Sequence, residues 1–264
     1  MRKDLIAAVA ALTALCLTAV ALAQDPAPKP KLTIQKATPK NAGTKSDPKP
    51  ARLKLLVKNN AESKTTMDIL DLYLPKSWKV SGKGLPACDH IKLATERDAS
   101  ACPTGSKAGT GAANAVLGPR SASPSPLKFK ITVFNGTKKQ LLFLLQQVDP
   151  TTGAPVSGGV ETALKGTIKT ASGKYGTRIS IKVPDGKGEY AQFPNIQQPA
   201  PGVYSALQDL SANIYLKKGS KSLLSSTGCS GRKYPFKATL RYSDNPTPPA
   251  KRTASTTASK SCTK

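Results

Sequence analysis

Residues 127–145, LKFKITVFNGTKKQLLFLL, carry the clearest structural pattern in this chain. Apolar residues occupy every second position from Leu127 to Val133, which is the period of a strand whose two faces meet different surroundings. Residues 141–145 are continuously apolar, which is typical of a strand that is buried on both faces. Asn135-Gly136 lies between the two halves and favours a two-residue type I′ turn, because both turn positions need positive φ. The stretch predicts an antiparallel hairpin.

Short alternating segments recur on both sides of this hairpin, as in ARLKLLVK (51–58) and YPFKATLRY (234–242). The run TTMDILDLYL (65–74) alternates with one slip of phase, which indicates a β-bulge or an uncertain register. A turn at Ser172-Gly173 predicts a second hairpin. Together these segments predict one all-β domain over residues 31–243, an antiparallel β-sandwich of immunoglobulin-like or jelly-roll-like type with one short helix.

The N-terminus has the pattern of a secretory signal peptide over residues 1–23. Two basic residues precede an uncharged apolar run, and Ala21-Leu22-Ala23 forms a small-x-small cleavage site. We predict cleavage between Ala23 and Gln24, followed by a disordered, proline-rich leader over residues 24–30. This makes the protein secreted or associated with the cell envelope, with no transmembrane segment after cleavage. An uncleaved membrane anchor is the alternative, since a run of ~18 apolar residues is marginally long enough to span a bilayer.

Four cysteines follow the signal: Cys88, Cys102, Cys229 and Cys262. An even number in an exported chain predicts disulfide bonds, and four cysteines allow three pairings. Proximity along the chain favours Cys88–Cys102 and Cys229–Cys262. A zinc site is the competing interpretation, but CxxC spacing is absent and the chain has one histidine. The second bond would tie the C-terminal region, residues 244–264, to the domain, and we interpret this region as a flexible tail or a weak edge strand.

The segment DHIKLATERDAS (89–100) is the one helical candidate and lies inside the first disulfide loop. Asp89 is suited to cap its N-terminus, and Ile91 with Leu93 or Ala94 would turn inward. The single histidine, His90, falls in this helix, where we interpret it as an exposed or partly packed side chain.

The run ACPTGSKAGTG (101–111) has the composition of a phosphate-binding loop but not its spacing. A Walker loop needs Gly-Lys-Ser/Thr, whereas here the order is Gly105-Ser106-Lys107 and Ala108 follows the lysine. The three glycines of a dinucleotide-binding fingerprint are also incomplete. We interpret the run as a tight turn that leads from the disulfide loop into a strand.

The stretch LPACDHIKLATERDASACPTGSKAGTG (85–111) resembles a group of secreted actinobacterial proteins of unassigned function. These proteins share Leu-Pro-x-Cys, a short helix, and Cys-Pro-x-x-Ser-x-x-Gly-x-Gly. The resemblance extends to TVFNG, PNIQQPAPGVYSAL and STGC, and so covers most of the chain after the signal. It implies secretion, β architecture and the Cys88–Cys102 pairing, and it implies no activity, ligand or catalytic residue.

The formal net charge is +25, and only eight of the forty basic residues are arginine. Lysine is a well-hydrated point charge, so a lysine-rich surface favours diffuse attraction to polyanions over shaped recognition. The plain alternative is a surface that is basic only for solubility. Candidate partners are anionic cell-wall polymers or acidic lipids. Specific nucleic-acid binding is disfavoured, since no base-reading module is recognisable. The oligomeric state is not specified by any pattern.

The sequence contains no recognisable set of catalytic residues, so we predict a non-enzymatic protein without a cofactor, a metal site or catalytic residues. One histidine excludes the histidine-rich zinc sets, and no GxSxG elbow occurs. Two alternatives stay open: a secreted hydrolase with an unrecognised carboxylate site, and a structural module that binds another protein. Residue pairs such as Asp68 with Asp71, or Asp185 with Glu189, read as ordinary strand and turn residues.

Residues 184–202 form a long proline-rich loop that carries Tyr190 and Phe193. Long ordered loops in compact domains are frequently functional. We therefore predict that this loop is the place for a specific contact.

Overall fold

The computed structural model describes residues 27–59, 65–118, 125–137, 139–188, 194–243 and 251–263. The predicted signal peptide, with its cleavage site at Ala23 and Gln24, lies outside the described residues, as do Tyr190 and Phe193. Residues 27–30 have no regular structure, but Pro28 is buried, so this part of the predicted leader packs on the domain. The first strand begins at Lys31, where the domain was predicted to start.

The fold is all-β, as predicted, and its main feature is an eleven-stranded sheet in which every neighbouring pair of strands is antiparallel. In spatial order the strands are β1 (Lys31–Thr38), β3 (Arg52–Lys58), β11 (Tyr204–Ile214), β6 (Lys107–Gly118), β7 (Ser125–Gly136), β8 (Gln140–Val148), β9 (Glu161–Thr170), β10 (Tyr175–Lys182), β4 (Met67–Pro75), β15 (Lys233–Tyr242) and β16 (Thr253–Ser261). A small sheet joins β2 (Lys49–Pro50), β14 (Leu224–Ser226) and β5 (Trp78–Val80), and β12 (Lys217–Lys218) pairs with β13 (Lys221–Ser222).

The main sheet folds over on itself like a sandwich, and its two edge strands meet. The backbone N–H of Leu32 in β1 donates to Thr256 Oγ1 in β16 at 3.2 Å. Inward-facing side chains from strands across the whole sheet form one apolar core. Within it, the Trp78 ring packs edge-on against Tyr234 and Phe236, with ring centroids 5.3 and 5.5 Å apart.

The predicted slip of phase in β4 is a β-bulge. Ile69 pairs with Arg241, whereas the next pair along β15 joins Tyr242 to Met67, which leaves Asp68 as the extra residue. Beyond the bulge, Leu70, Leu72 and Leu74 face the core.

The first predicted hairpin exists, but its turn is not at Asn135-Gly136. Both residues belong to β7, where Asn135 pairs with Leu141 and Gly136 with Gln140, and the chain reverses after Gly136, with Lys139 at φ 60°. Asn135 is 1% exposed. Its Nδ2 donates to the carbonyl of Pro86 at 2.9 Å, and its own carbonyl accepts from the N–H of Cys88 at 2.8 Å. These tertiary contacts with Pro86 and Cys88 therefore override the local preference of Asn-Gly for a turn.

The second predicted hairpin is confirmed: β9 pairs with β10, and Gly173 in the connection has φ 68°. The run 101–111 leads through a turn into β6, as predicted. Two glycines of this run face the backbone of β11: a Cβ at Gly109 or Gly111 would overlap the carbonyl oxygen of Asn213 or Ser211, respectively. The absence of a side chain at these two glycines therefore allows β6 and β11 to pack closely.

Both predicted disulfide bonds are present, Cys88–Cys102 and Cys229–Cys262. Between the first pair lies α1 (His90–Glu96), capped by Asp89, whose carboxylate accepts from the N–H of Lys92 at 3.0 Å. The helix covers the outer face of β7–β9 and forms a second apolar cluster there, which is why β8 is buried on both faces. The members of this cluster are Cys88, Leu93, Ala94, Ala101, Phe134, Leu142, Leu144 and Ala163.

The helix differs from the prediction in the side chains that turn inward. Leu93 and Ala94 are buried as expected, but Ile91 is 54% exposed and His90 is buried in its place. The interpretation of Ile91 as inward-facing is therefore wrong. In the part of the chain that the structure describes, no helix is long and apolar enough to cross a membrane.

The C-terminal region forms an edge strand, which is one of its two predicted states. Residues Thr253–Ser261 form β16, which pairs with β15 along its whole length, from Arg241↔Thr253 to Lys233↔Ser261. The interpretation of this stretch as a flexible tail is wrong, because the edge of β15 supplies backbone groups that need a partner. Cys262 then fixes the end of the strand to Cys229.

The Asn135→Ala variant should lower the free energy of unfolding by about 1–3 kcal/mol, since it removes a buried amide and leaves the half-buried Pro86 carbonyl without its donor. Urea denaturation of the oxidised protein measures this. The matched control is Asn41→Ala, which removes an exposed amide that accepts from Thr263 Oγ1 and should stay within about 0.5 kcal/mol of wild type. Equal effects of the two changes would contradict the anchoring role of Asn135.

The Gly111→Ala variant should lower the free energy of unfolding by about 3 kcal/mol, since its methyl group would overlap a backbone carbonyl that cannot move without separating β6 from β11. Gly228→Ala is the control, because the atom nearest to the added methyl group, Ser77 Cβ, would be 3.8 Å away. Thermal melts of both variants test this. A stable Gly111→Ala protein would show that close packing does not explain the glycine.

Candidate functional site

The residues predicted as sites are distributed over several places in the fold. All four cysteines are structural, since they form the two disulfide bonds. His90, the first residue of α1, is buried against the sheet, with its Nε2 atom 3.4 Å from the carbonyl oxygen of Ala163 in β9. Among the described residues, no group of three or more His, Cys, Asp or Glu side chains is placed to hold a metal ion.

The outer face of β9, β10, β4 and β15 carries a cationic row across four adjacent strands. Lys169 pairs with Arg178, Arg178 with Tyr73, and Tyr73 with Lys237. Strand alternation sets this row, because every second residue of each strand points away from the core. The sequence shows the alternation within each strand, whereas the alignment between strands comes from the sheet register.

The carboxylate of Asp71 lies among these cations but is 4% exposed. Its Oδ2 atom is 3.8 Å from Arg178 Nη1 and 3.5 Å from Arg241 Nη2. A hydrogen bond with Tyr73 raises the pKa of Arg178; burial acts in the opposite direction, and the negative charge of Asp71 adds to the rise. The negative charge of Asp71 is thus balanced by two arginines beneath the surface, and the other positive charges of this face lie above it.

Two tyrosines add aromatic surface to this face. The rings of Tyr73 and Tyr175 lie 5.6 Å apart at a tilt of 54°. Lys237 Nζ is 5.2 Å from the Tyr73 ring centroid, and Lys174 Nζ is 5.6 Å from that of Tyr175, within the range of cation–π attraction. We define the cationic face as the following residues: Lys169, Lys174, Arg178, Lys237, Arg241, Tyr73 and Tyr175.

The outer face on the other side of the sandwich is also basic, but its acid is arranged differently. Lys54 and Lys58 point outward from β3, and Asp209 of β11 pairs with Lys58 in the ladder. Both carboxylate oxygens of Asp209 accept from the neutral amide of Asn114, at 2.9 and 3.0 Å. This face therefore has a partly exposed carboxylate that arginines do not neutralise.

A polar pocket of about 370 Å³ lies where the 194–199 segment meets the start of β4, and it brings together Asp68 and Asp185. The sequence paired these acids with other partners: Asp71 lies on the cationic face instead, and Glu189 is outside the described residues. Asp68 Oδ1 accepts from Gln197 Nε2 at 3.3 Å, and Asp185 Oδ2 is 3.2 Å from Lys182 Nζ.

Asp185 is held in its ionised form. Burial acts to raise its pKa, but hydrogen bonds from Lys182 and from the N–H of Lys187, with the charge of Lys182, bring the pKa below its ordinary value. A general acid in glycoside hydrolysis needs the opposite shift. Tyr242 also lines the pocket; its hydroxyl donates to Asn59 Oδ1 at 3.1 Å, and burial raises its pKa.

An apolar cavity of about 330 Å³ occupies the same end of the sandwich, and we call it the end cavity. Its walls are the inner faces of β6–β9, the start of β11, and the segment 194–199. Small side chains, Ala113 and Ala115, line it from β6, and Leu207 and Leu164 line it from other strands. Sequence reasoning missed this cavity; the run of alanines in KAGTGAANAVLG was its one visible signal.

The predicted binding loop is related to both pockets through its described half. Asn195 lines the end cavity and the polar pocket alike, and its Oδ1 atom accepts from the N–H of Gln198 at 2.9 Å. The loop thus forms a wall between an apolar and a polar compartment.

No protein-family model matches this chain, and no curated protein matches it at a significant level. The function must therefore be inferred from the chain's own surfaces and pockets.

Proposed function

We propose that this is a non-enzymatic protein of the cell surface or the extracellular medium, which binds anionic envelope polymers through its cationic face. The observation that carries the proposal is the row Lys169–Arg178–Tyr73–Lys237, beneath which the carboxylate of Asp71 is buried between two arginines. Burial of the acid leaves the outward potential of this face positive.

The shape of the face favours a polymer over a small ligand. Its cations are spread over adjacent strands about 4.8 Å apart, and they do not converge on one enclosed point. Such an array attracts a chain of repeating negative charges, and the net charge of +25 adds long-range attraction. The same physics makes the binding sensitive to salt, because exposed charges are screened over about 8 Å at physiological ionic strength.

The location outside the cytoplasm is part of the proposal. The predicted signal peptide supports it, and so do the two disulfide bonds, because such bonds persist in oxidising compartments.

A carboxylate hydrolase is the second candidate, because Asp68 and Asp185 line one pocket. The lowered pKa of Asp185 weighs against it, since an ionised acid cannot protonate a leaving group at neutral pH. A protein-binding module would be favoured by a contiguous apolar patch. The exposed large apolar residues in the described ranges are Ile91, Val156 and Tyr215, in separate elements or loops.

The double variant Lys169→Glu/Lys237→Glu should bind purified cell wall at least about 30-fold more weakly at low salt, since each lysine near an anionic surface contributes about 1 kcal/mol and each new glutamate adds repulsion. Sedimentation with cell wall across a salt series measures this. The control is Lys54→Glu/Lys58→Glu on the opposite face, which makes the same change in net charge.

Weaker binding by the first variant alone supports the cationic face as the site. Equal loss in both variants would assign binding to net charge without a site, and wild-type protein that stays unbound at low salt would refute the polymer proposal. Wall stripped of its anionic polymers should retain none of the proteins.

A further inference from the structure

The end cavity is a partly open pocket with about 330 Å³ of space and an apolar lining. Side chains in cores interdigitate and leave few gaps larger than a water molecule, so a space of this size between apolar side chains is unusual. That volume lies in the range of small-molecule sites, about 300–1,000 Å³. A void of this size deprives its lining of dispersion contacts, so an apolar occupant would be stabilised there.

The chemistry of the wall selects the class of occupant. Leucine, isoleucine, phenylalanine, valine, methionine, proline and alanine side chains form almost the whole lining, and the polar exceptions are Asn195 and Ser205. The Ser205 hydroxyl donates to the carbonyl of Ile196 at 2.6 Å and is thereby engaged. Such a wall offers a hydrocarbon chain good contact and offers a sugar or a nucleotide too few partners.

Asn195 supplies a polar end to this apolar space. Because its Oδ1 accepts from the N–H of Gln198, the side chain is oriented. No described residue accepts a hydrogen bond from its Nδ2 group, so this donor is available at the boundary with the polar pocket. Lys187 and Arg252 line that pocket on the far side of Asn195.

We propose that the end cavity binds the hydrocarbon chain of a fatty acid, with the carboxylate at Asn195. A carboxylate fits this end because it accepts hydrogen bonds strongly and because the chain as a whole is strongly positive. The acids of the polar pocket do not displace it, since Asp68 already accepts from Gln197 and Asp185 pairs with Lys182. The end cavity shares no residue with the cationic face, so the two proposed sites can be tested separately.

Titration of the full chain with octanoate, decanoate and dodecanoate, each below its micelle-forming concentration, tests the proposal by calorimetry. Binding should be one to one, and affinity should rise about fourfold per methylene, which corresponds to about 0.8 kcal/mol. The rise should end once the cavity is full. Affinity that does not depend on chain length, or several molecules bound per protein, would overturn the proposal.

Two variants in β6 locate the site. Ala115→Leu fills the end cavity and should abolish binding of dodecanoate, whereas Ala112→Leu changes the same strand on its outer face, beside Lys130, and should leave binding unchanged. Leu207→Ala enlarges the cavity and should move the best chain length upward, which keeps the test valid if Ala115→Leu fails to fold. Equal binding by wild type, Ala115→Leu and Leu207→Ala would place the ligand elsewhere.

The polar end has its own test. Asn195→Ala should weaken dodecanoate about tenfold through loss of a hydrogen bond to a charged group, and it should weaken dodecan-1-ol, which lacks a carboxylate, much less. An equal effect on both ligands would show that the carboxylate does not bind at Asn195. The hydrocarbon part of the proposal would then rest on the cavity variants alone. Cell-wall binding by Ala115→Leu should equal that of wild type, which separates this proposal from the previous one.

Discussion

One sheet supplies both layers of this protein, so its fold depends on the meeting of the edge strands β1 and β16. A single apolar face cannot be buried until the sheet folds over on itself. At the junction, Thr256 accepts from the backbone N–H of Leu32, which satisfies an edge donor with a side chain. Strand edges with unpaired backbone groups invite association with other chains. Closure thus buries the core and protects the edges together.

The segment between Cys88 and Cys102 buries a second apolar surface of the sheet, because Phe134, Leu142 and Leu144 point away from the main core. The helix α1 covers them, and the Cys88–Cys102 bond closes the segment. Asn135 joins this cover to the end of β7 through backbone and side-chain hydrogen bonds. A residue pair that resembles a turn is therefore used as an anchor. The outer face of β7–β9 becomes apolar and covered, while the outer face around Tyr73 remains cationic and open.

The two proposed binding sites lie on opposite faces of the main sheet, one outside and one between its layers. Outward positions tolerate lysine and arginine, and the sheet register places those of four strands side by side over the buried Asp71. Inward positions require apolar residues, and the end cavity exists where β6 supplies alanine instead of a large side chain. Two surfaces with opposite chemistry thus arise from one alternating pattern. The polar pocket beside the end cavity holds its acids in a hydrogen bond and an ion pair.

The sequence by itself determined the all-β class, the two disulfide pairings, the capped helix and the second hairpin, because alternation, spacing and capping are local properties. The predictions from sequence were wrong at Asn135-Gly136 and at Ile91. They left β16 open between an edge strand and a flexible tail, because its Ser, Thr and Ala residues carry no apolar period. The sequence could name neither the partners of Asp71 and Asp185 nor the end cavity. Only the tertiary structure decided these, because they depend on which strands become neighbours and on the space left between side chains far apart in the chain.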